Sequence, residues 1–297
     1  MARITVQQDW RLTADPEQAA ARERCRALER GDILYFPRTP LHFEEDDLQF
    51  LRTQKQSGAG YHKNIAYRPG QDRITGYAGA QEERMRAVLG RFSRAAQNLM
   101  RECLSPFTLE IEYASFRPLA EETRQLKTHA RNDLLHVDNF PTRPTHGNRI
   151  LRFFVNLHPA LPRVWRTGPP LPELLARFGA SSGVIQKTRA GVGKQKWLRG
   201  LQRLGLPVKA RPEYDRFMLS FHHWLKENQE FQNDPGHARW EFPPMSSWMV
   251  FTDTASHAVL GGQFALEQTM LVKRQSLLLP EIAPSTLIEN LIQSRTA

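Results

Sequence analysis

The chain has 297 residues, 40% of them hydrophobic and 24% charged, with a formal net charge of +10; that length can bury a core without staples, and the composition is that of a globular protein. Two cysteines, Cys25 and Cys103, exclude a disulfide scaffold and a CxxC metal motif and are expected to pack as small buried side chains. No apolar run approaches the roughly 20 residues that span a bilayer, and the N-terminus lacks the apolar stretch of a signal peptide, so the chain reads as cytoplasmic, its positive excess attracting nucleic acid, an anionic membrane surface or a phosphorylated substrate without choosing among them.

ADPEQAAARERCRALERGD reads as a first helix, with Asp15 as N-cap, Pro16 at the first helical position, Gln18 at the capping-box position and Gly31 as stop. ILYFP (33–37) follows as a short strand. From about Gly79 to Cys103 the apolar residues Met85, Val88, Leu89, Phe92, Ala96, Leu99, Met100 and Cys103 recur at helical spacing with arginines opposite. That predicts an amphipathic helix packed on a sheet. Beyond it the pattern turns strand-like. TLEIEYASFRP (108–118), DLLHVD (133–138), RILRFFVNLHP (149–159), SSWMVFTD (246–253) and QFALEQTMLV (263–272) are short β-branched or aromatic runs bounded by turn-forming residues. A helical insert from about 172 to 231 interrupts them, and a last helix is expected at about 280–292. No repeat or linker divides the chain. The expectation is one α+β domain over 1–297, with a helical N-terminal layer to about 106, a double-sheet barrel core over about 108–272 carrying the insert, and the C-terminal helix.

His136 and Asp138 are separated only by Val137. On a strand, residues two apart project to the same face, so both can reach one ion. MVFTDTASHAVLGGQ (249–263) offers His257 as a third ligand. Two histidines and a carboxylate on one face of a metal leave three positions open, the arrangement of non-haem Fe(II) oxygenases. His-x-Asp alone is a weak signal that also describes a surface pair. With ten histidines in the chain the third ligand is not forced. His129, His146 and His158 are nearer in sequence, though each reads better as a loop residue or as a partner behind a ligand. Asp253 is a rival carboxylate, expected to be structural or to orient a ligand.

LHVDNFPTRPTHGNRILRFFVNLHP (135–159), RVWRTG (163–168), WEFPPMSSWMVFTDTASHAVLGGQFALEQTMLV (240–272) and EYASFRP (112–118) together resemble the Kdo hydroxylase family of Fe(II)/2-oxoglutarate-dependent dioxygenases. The resemblance is strongest over about 108–272. It implies a double-stranded β-helix (cupin- or jelly-roll-like) and carries the role of iron ligand to His136, Asp138 and His257. It also implies the reaction: 2-oxoglutarate and O2 become succinate and CO2 while carbon 3 of the Kdo sugar in the lipid A inner core is hydroxylated, giving D-glycero-D-talo-oct-2-ulosonic acid. The substrate would be a Kdo-lipid A glycolipid, met at the inner membrane.

A buried co-substrate carboxylate needs a cation or several donors. Many 2-oxoglutarate enzymes place an arginine about ten residues after the distal histidine, but here those positions hold Glu267, Gln268 and Thr269. Glu267 is expected to repel the dianion, which moves the anchor elsewhere. Arg149 and Arg152 follow the first two ligands on one predicted strand. Period-2 alternation turns them to opposite faces, so at most one points inward. Arg152 is favoured because Asn156 shares its face. Arg117 is a third candidate, and for each arginine a surface or structural ion pair is the plain alternative. Thr142, Arg143 and Thr145 lie in a turn that could meet substrate.

From Phe178 to Pro212 there is no acidic residue, while Lys187, Arg189, Lys194, Lys196, Arg199, Arg203, Lys209 and Arg211 surround Trp197, Leu198, Leu201 and Leu204. KQKWLRGLQRLG (194–205) reads as a short basic amphipathic helix suited to an anionic membrane, or equally to packing on the barrel. Three other readings of the whole chain stand beside the hydroxylase. One is a nucleic-acid oxygenase, although no nucleic-acid module is present and no such partner is expected. The others are a zinc hydrolase with the same ligand set and an inactive sugar-binding module.

Overall fold

The computed structural model describes residues 3–7, 16–54, 64–77, 79–123, 126–141, 143–191, 193, 197–198, 200 and 210–294. Its N-terminal part runs β1 (Ile4–Val6), α1 (Pro16–Glu29), β2 (Ile33–Phe36), α2 (Glu45–Arg52), β3 (Ile65–Arg68), β4 (Arg73–Thr75) and α3 (Glu82–Cys103). The strand-rich part opens with β5 (Leu109–Arg117), β6 (Arg149–Asn156) and β7 (Arg163–Pro170). The insert follows as α4 (Leu171–Leu174), α5 (Val184–Ala190), α6 (Glu213–Glu227) and α7 (Gln229–Gln232). The chain then runs through β8 (Ala238–Phe242), β9 (Ser247–Phe251), β10 (Ala255–Gly261), β11 (Ala265–Val272) and α8 (Pro284–Gln293).

The predicted first helix starts at Pro16, and two residues past its end Gly31 takes a positive φ of +92°. A Cβ there would also stand 3.1 Å from Pro170, so glycine serves both the turn and the close approach. Asp15 lies outside the described residues. Every apolar residue predicted to line α3 is buried, and so are both cysteines. Burial pushes the Cys25 thiol up to about 12, so it stays protonated.

Eight strands form one large sheet in the order β1-β2-β9-β6-β11-β5-β3-β4, and three form a small one, β10-β7-β8. β1 and β2 are parallel and the other pairs antiparallel. The architecture is thus mixed α+β around a large sheet that ends in two edge strands. Alternation gives that sheet two different faces. Leu151, Phe153, Val155, Met249, Phe251, Leu266, Met270, Ala114 and Phe116 pack on α1 and α3 in the main core. Their alternates Phe154, Trp248 and Val250 turn the other way and meet Trp165, Phe242, Ala255 and Val259 of the small sheet. Fully burying each such side chain contributes about 1.5–3 kcal/mol, which outweighs any local propensity.

One predicted strand did not form. Residues 133–138 make a single bridge, His136 to His257, instead of a ladder. Leu135 and Val137 are apolar because they pack into the insert's core beside Phe217, Phe221 and Leu225, not because they alternate within a sheet. The last helix begins at Pro284, after a 3-10 turn at Pro280–Ile282.

Candidate metal centre

His257, on the small sheet, comes together with His136 and Asp138, which lie on the segment that leads into β6. His257 projects from β10 on the same side as Ala255 and Val259, into the space between the sheets. His136 is held opposite it by paired backbone bonds, His136 N–H to the His257 carbonyl (3.1 Å) and His257 N–H to the His136 carbonyl (2.9 Å). The Asp138 N–H donates to the Thr252 carbonyl at 2.7 Å. His136 Nε2 is 3.5 Å from Asp138 Oδ1, and His257 Nε2 is 4.0 Å from Asp138 Oδ2. Two metal–ligand bonds of about 2 Å span such gaps.

Each imidazole has its tautomer set from behind. His136 Nδ1 donates to the Leu134 carbonyl (2.7 Å) and His257 Nδ1 to the Ala255 carbonyl (2.9 Å), which leaves Nε2 for an ion. Burial, and then neighbouring His136, push His257 down to about 4, and burial lowers His136 too, so both rings are neutral near neutral pH, the form in which an imidazole can ligate a metal. Burial opposes ionisation of Asp138, but Arg152 and the His136 hydrogen bond hold its carboxyl well below the usual range. Two buried neutral imidazoles and one partly buried carboxylate suit a divalent non-haem iron.

Beside this set lies a second cluster, assembled by strand register. On β5, Tyr113, Ser115 and Arg117 face the small sheet; on β6, Arg152 and Phe154 do; on β11, between them, Glu267 and Thr269 do. Arg152 reaches Asp138 (3.0 Å) and Glu267 (2.5 Å). Arg117 reaches Glu267 (2.7 Å) and Glu121 (3.3 Å), and Arg163 of β7 reaches Glu121 (3.1 Å). Glu267 is therefore not a bare repelling charge, as its sequence position suggested. Burial works against its ionisation, but Arg152 and Arg117 keep it ionised, below the ordinary glutamate value. Three guanidiniums face three carboxylates, so a divalent metal and a dianionic co-substrate enter together without a net change of charge. The Nε atoms of Arg117, Arg152 and Arg163 and the Nε1 of Trp165 are buried without a hydrogen-bond partner among the described residues. They are donors to spare for a carboxylate.

Two sequence candidates are not brought to this cluster. Arg149 sits on the opposite face of β6, fully buried, with Nε 2.9 Å and Nη2 3.1 Å from Asp253 and its guanidinium over Phe251. Arg149 and Arg152 thus face opposite ways, and Arg149 and Asp253 form a structural pair on the side of the helical layer. Asn156 shares the inward face of β6 but spends its amide on the chain. Its Nδ2 donates to the Leu161 and Phe242 carbonyls and its Oδ1 accepts from His158 N–H, so it fastens the strand end.

The other histidines near in sequence also have local roles. His146 takes a positive φ of +55° in the turn and donates its N–H to Asp215. His158 Nδ1 accepts from the Ala160 and Leu161 N–H groups. His129 stacks on His223 and meets Glu227. In the 142–145 turn, Thr142 lies outside the described residues, Arg143 pairs with Glu112, and Thr145 is bound to Asp215.

The sequence reading missed Glu121, Arg163, Trp165 and His222. Arg163 and Trp165 share a face at period 2 within RVWRTG, and that spacing was the available signal. Trp165 lies flat on the His257 ring, with centroids 5.1 Å apart. His222 comes from the inserted helix, and a ligand atom of His222 lies within 4.8 Å of those of His136 and Asp138. Its place in an amphipathic helical pattern gave no hint of this.

No curated protein matches the chain. A sequence model described as 3-deoxy-D-manno-oct-2-ulosonic acid (Kdo) hydroxylase matches residues 10–295. Among solved structures, the cobalt(II) complex of the Kdo hydroxylase KdoO, a non-heme Fe(II) alphaketoglutarate dependent dioxygenase, is 30% identical, with 98% of this chain and 96% of that one covered and a TM-score of 0.82. KdoO complexes with alphaketoglutarate and Fe(III), and with succinate and Fe(III), give a TM-score of 0.81 at 29% and 30% identity over the same coverage. With its paired imidazoles and carboxylate beside a bank of buried arginines, the chain belongs to the Kdo hydroxylase family of Fe(II)/2-oxoglutarate-dependent dioxygenases.

Proposed function

We propose that this enzyme hydroxylates carbon 3 of the Kdo sugar in the lipid A inner core. One atom of O2 enters the sugar's C–H bond as hydroxyl, and the other enters succinate as 2-oxoglutarate loses CO2. The observation that carries the reading is the convergence of His136 Nε2, His257 Nε2 and the Asp138 carboxylate next to arginines with unspent donors. His136, Asp138 and His257 would hold the iron, which supplies the oxidising chemistry when bound.

The chain's own residues do the rest. Arg152 both pairs with Asp138 and extends toward Glu267, so it is placed to fix the aspartate's orientation and to receive the far carboxylate of 2-oxoglutarate. Arg117 and Arg163 flank it as further donors, with Trp165 Nε1 beside them. Trp165, Phe154 and Trp248 close the base of the space with apolar rings, which excludes water and strengthens each charge contact. The facing sheets, with His257 on the small one and the arginines mostly on the large one, support the reading as a single catalytic domain built on a double-stranded β-helix.

The test is a mass spectrum of Kdo-bearing lipid A after incubation with the protein, Fe(II), 2-oxoglutarate and air. Gain of one oxygen, absent without 2-oxoglutarate, is the expected result. Succinate release with no gain on the glycolipid would discard the substrate and keep the chemistry.

A cytoplasmic enzyme visiting the inner membrane is the accompanying proposal. Among the described residues no helix is long and apolar enough to cross a membrane. Within the basic segment Lys194, Lys196, Arg199, Leu201, Arg203, Leu204 and Lys209 lie outside the described residues, while Trp197 is 64% exposed. An exposed tryptophan within a cationic stretch suits the interface of an anionic bilayer. Sedimentation with anionic vesicles at low salt tests this, and a protein that stays in the supernatant would end it.

A further inference from the structure

Two of the three proposed ligands sit on a stretch with little sheet of its own. Residues 129–138 touch the sheets through the backbone at Asn132, His136 and Asp138. Further carbonyls of the segment are taken up by buried side chains of the inserted helices. Lys226 Nζ donates to the His129 carbonyl (2.9 Å) and the Arg131 carbonyl (2.7 Å). Gln232 donates to the Leu135 carbonyl (2.9 Å) and accepts from the Leu135 N–H (3.0 Å). His222 Nδ1 donates to the Val137 carbonyl at 2.7 Å, the one peptide between the two ligands.

His222 and Lys226 are one turn apart on α6 and present one face to the segment. All three side chains are buried. Burying polar groups is costly unless their partners are in place; here the partners are the backbone of the segment, with one further bond from Gln232 to the Leu225 carbonyl of α6. The His222 ring also meets the His136 ring edge-on, with centroids 4.8 Å apart. Apolar contacts reinforce the grip, since Leu135 and Val137 point into the insert's core while His136 and Asp138, their alternates, point to the metal side.

We infer that the inserted helix is the positioning element of the metal centre. His222, Lys226 and Gln232 preset the segment so that His136 and Asp138 converge before a metal arrives, and His222 is the principal positioning residue, acting through the Val137 carbonyl and the His136 ring. This rests on the reading of His136, Asp138 and His257 as metal ligands. A segment ordered in advance does not draw its ordering from metal binding, so loosening it weakens affinity.

The experiment is titration of the full-length protein with Co(II), without 2-oxoglutarate, followed by visible absorption and calorimetry, with the metal-free melting curve recorded for each variant. His222→Phe and Gln232→Leu are expected to weaken Co(II) binding by about 10–100-fold, the usual effect of losing a partner behind a ligand. His222→Asn, whose amide nitrogen stands near the place of Nδ1, is expected to recover most of that affinity. His222→Gln, which carries its nitrogen further out, is not. The Asn and Gln pair decides the matter even if His222→Phe fails to fold: equal Co(II) affinity in the two overturns the inference. Wild-type affinity in folded Gln232→Leu and His222→Phe overturns it as well. His136→Ala is run beside them. Wild-type Co(II) affinity in that variant would strike the ligand reading instead, and its loss with no change in the His222 series would strike only the positioning role.

Discussion

Arg149 and Arg152 lie three residues apart on β6, both buried and both paired with an aspartate. They nevertheless belong to different parts of the molecule. Arg149 faces the helices, where Asp253 pairs with it through Nε and Nη2 and Phe251 lies under its guanidinium. Arg152 faces the small sheet, where its partners are a proposed metal ligand and a glutamate shared with Arg117. Burial and ion pairing are common to both, so what sets Arg152 apart is the face of the strand it occupies and the groups that face carries.

Substitutions can sharpen or break this contrast. The largest effect on turnover is expected from the proposed ligands on the segment that Arg152 meets at Asp138. His136→Ala or Asp138→Ala should reduce succinate formation to background while the far-ultraviolet circular dichroism stays native, and retained turnover in either would remove the iron assignment. Arg152→Ala comes next. Truncating one partner of a desolvated charge pair costs about 2–5 kcal/mol, and each 1.4 kcal/mol is tenfold, so the KM for 2-oxoglutarate should rise by about 30-fold or more. An unchanged KM would move the anchor to Arg117 and Arg163.

Asp253→Ala probes the other arginine. It leaves Arg149 as an uncompensated buried charge, so urea unfolding should show a loss of about 3–5 kcal/mol, with the KM for 2-oxoglutarate in the folded enzyme unchanged. A large KM change there would mean that the two faces are coupled and that the contrast fails. The smallest effect is expected from Glu267→Gln. It removes a buried carboxylate that occupies Arg117 and Arg152, so 2-oxoglutarate should bind a few-fold tighter, a gain of about 1 kcal/mol where each 1.4 kcal/mol is tenfold. Weaker binding would show that Glu267 aligns the arginines instead of competing for them.

The same division runs through what could be read in advance. The amphipathic α3, the strands β5, β6, β9 and β11, and the opposite orientation of Arg149 and Arg152 were all legible, because helical and period-2 spacing are local properties of a chain. His136, Asp138 and His257 were legible as candidates through spacing and through the family's motifs. The 133–138 run misled because apolar alternation looks the same whether a strand or a helix covers it, and here α6 does the covering. The neutralised Glu267, the arrival of Arg163, Trp165 and Glu121, and the grip of His222 on the Val137 carbonyl depend on contacts across 42 to 150 residues. Such contacts are made by sheet register and by the docking of an insert, and those exist only once the chain has packed. The sequence by itself thus determined the elements and the chemistry on offer. The tertiary structure decided which charges meet, because pairing energies are set by distance and burial and neither is a property of neighbouring residues.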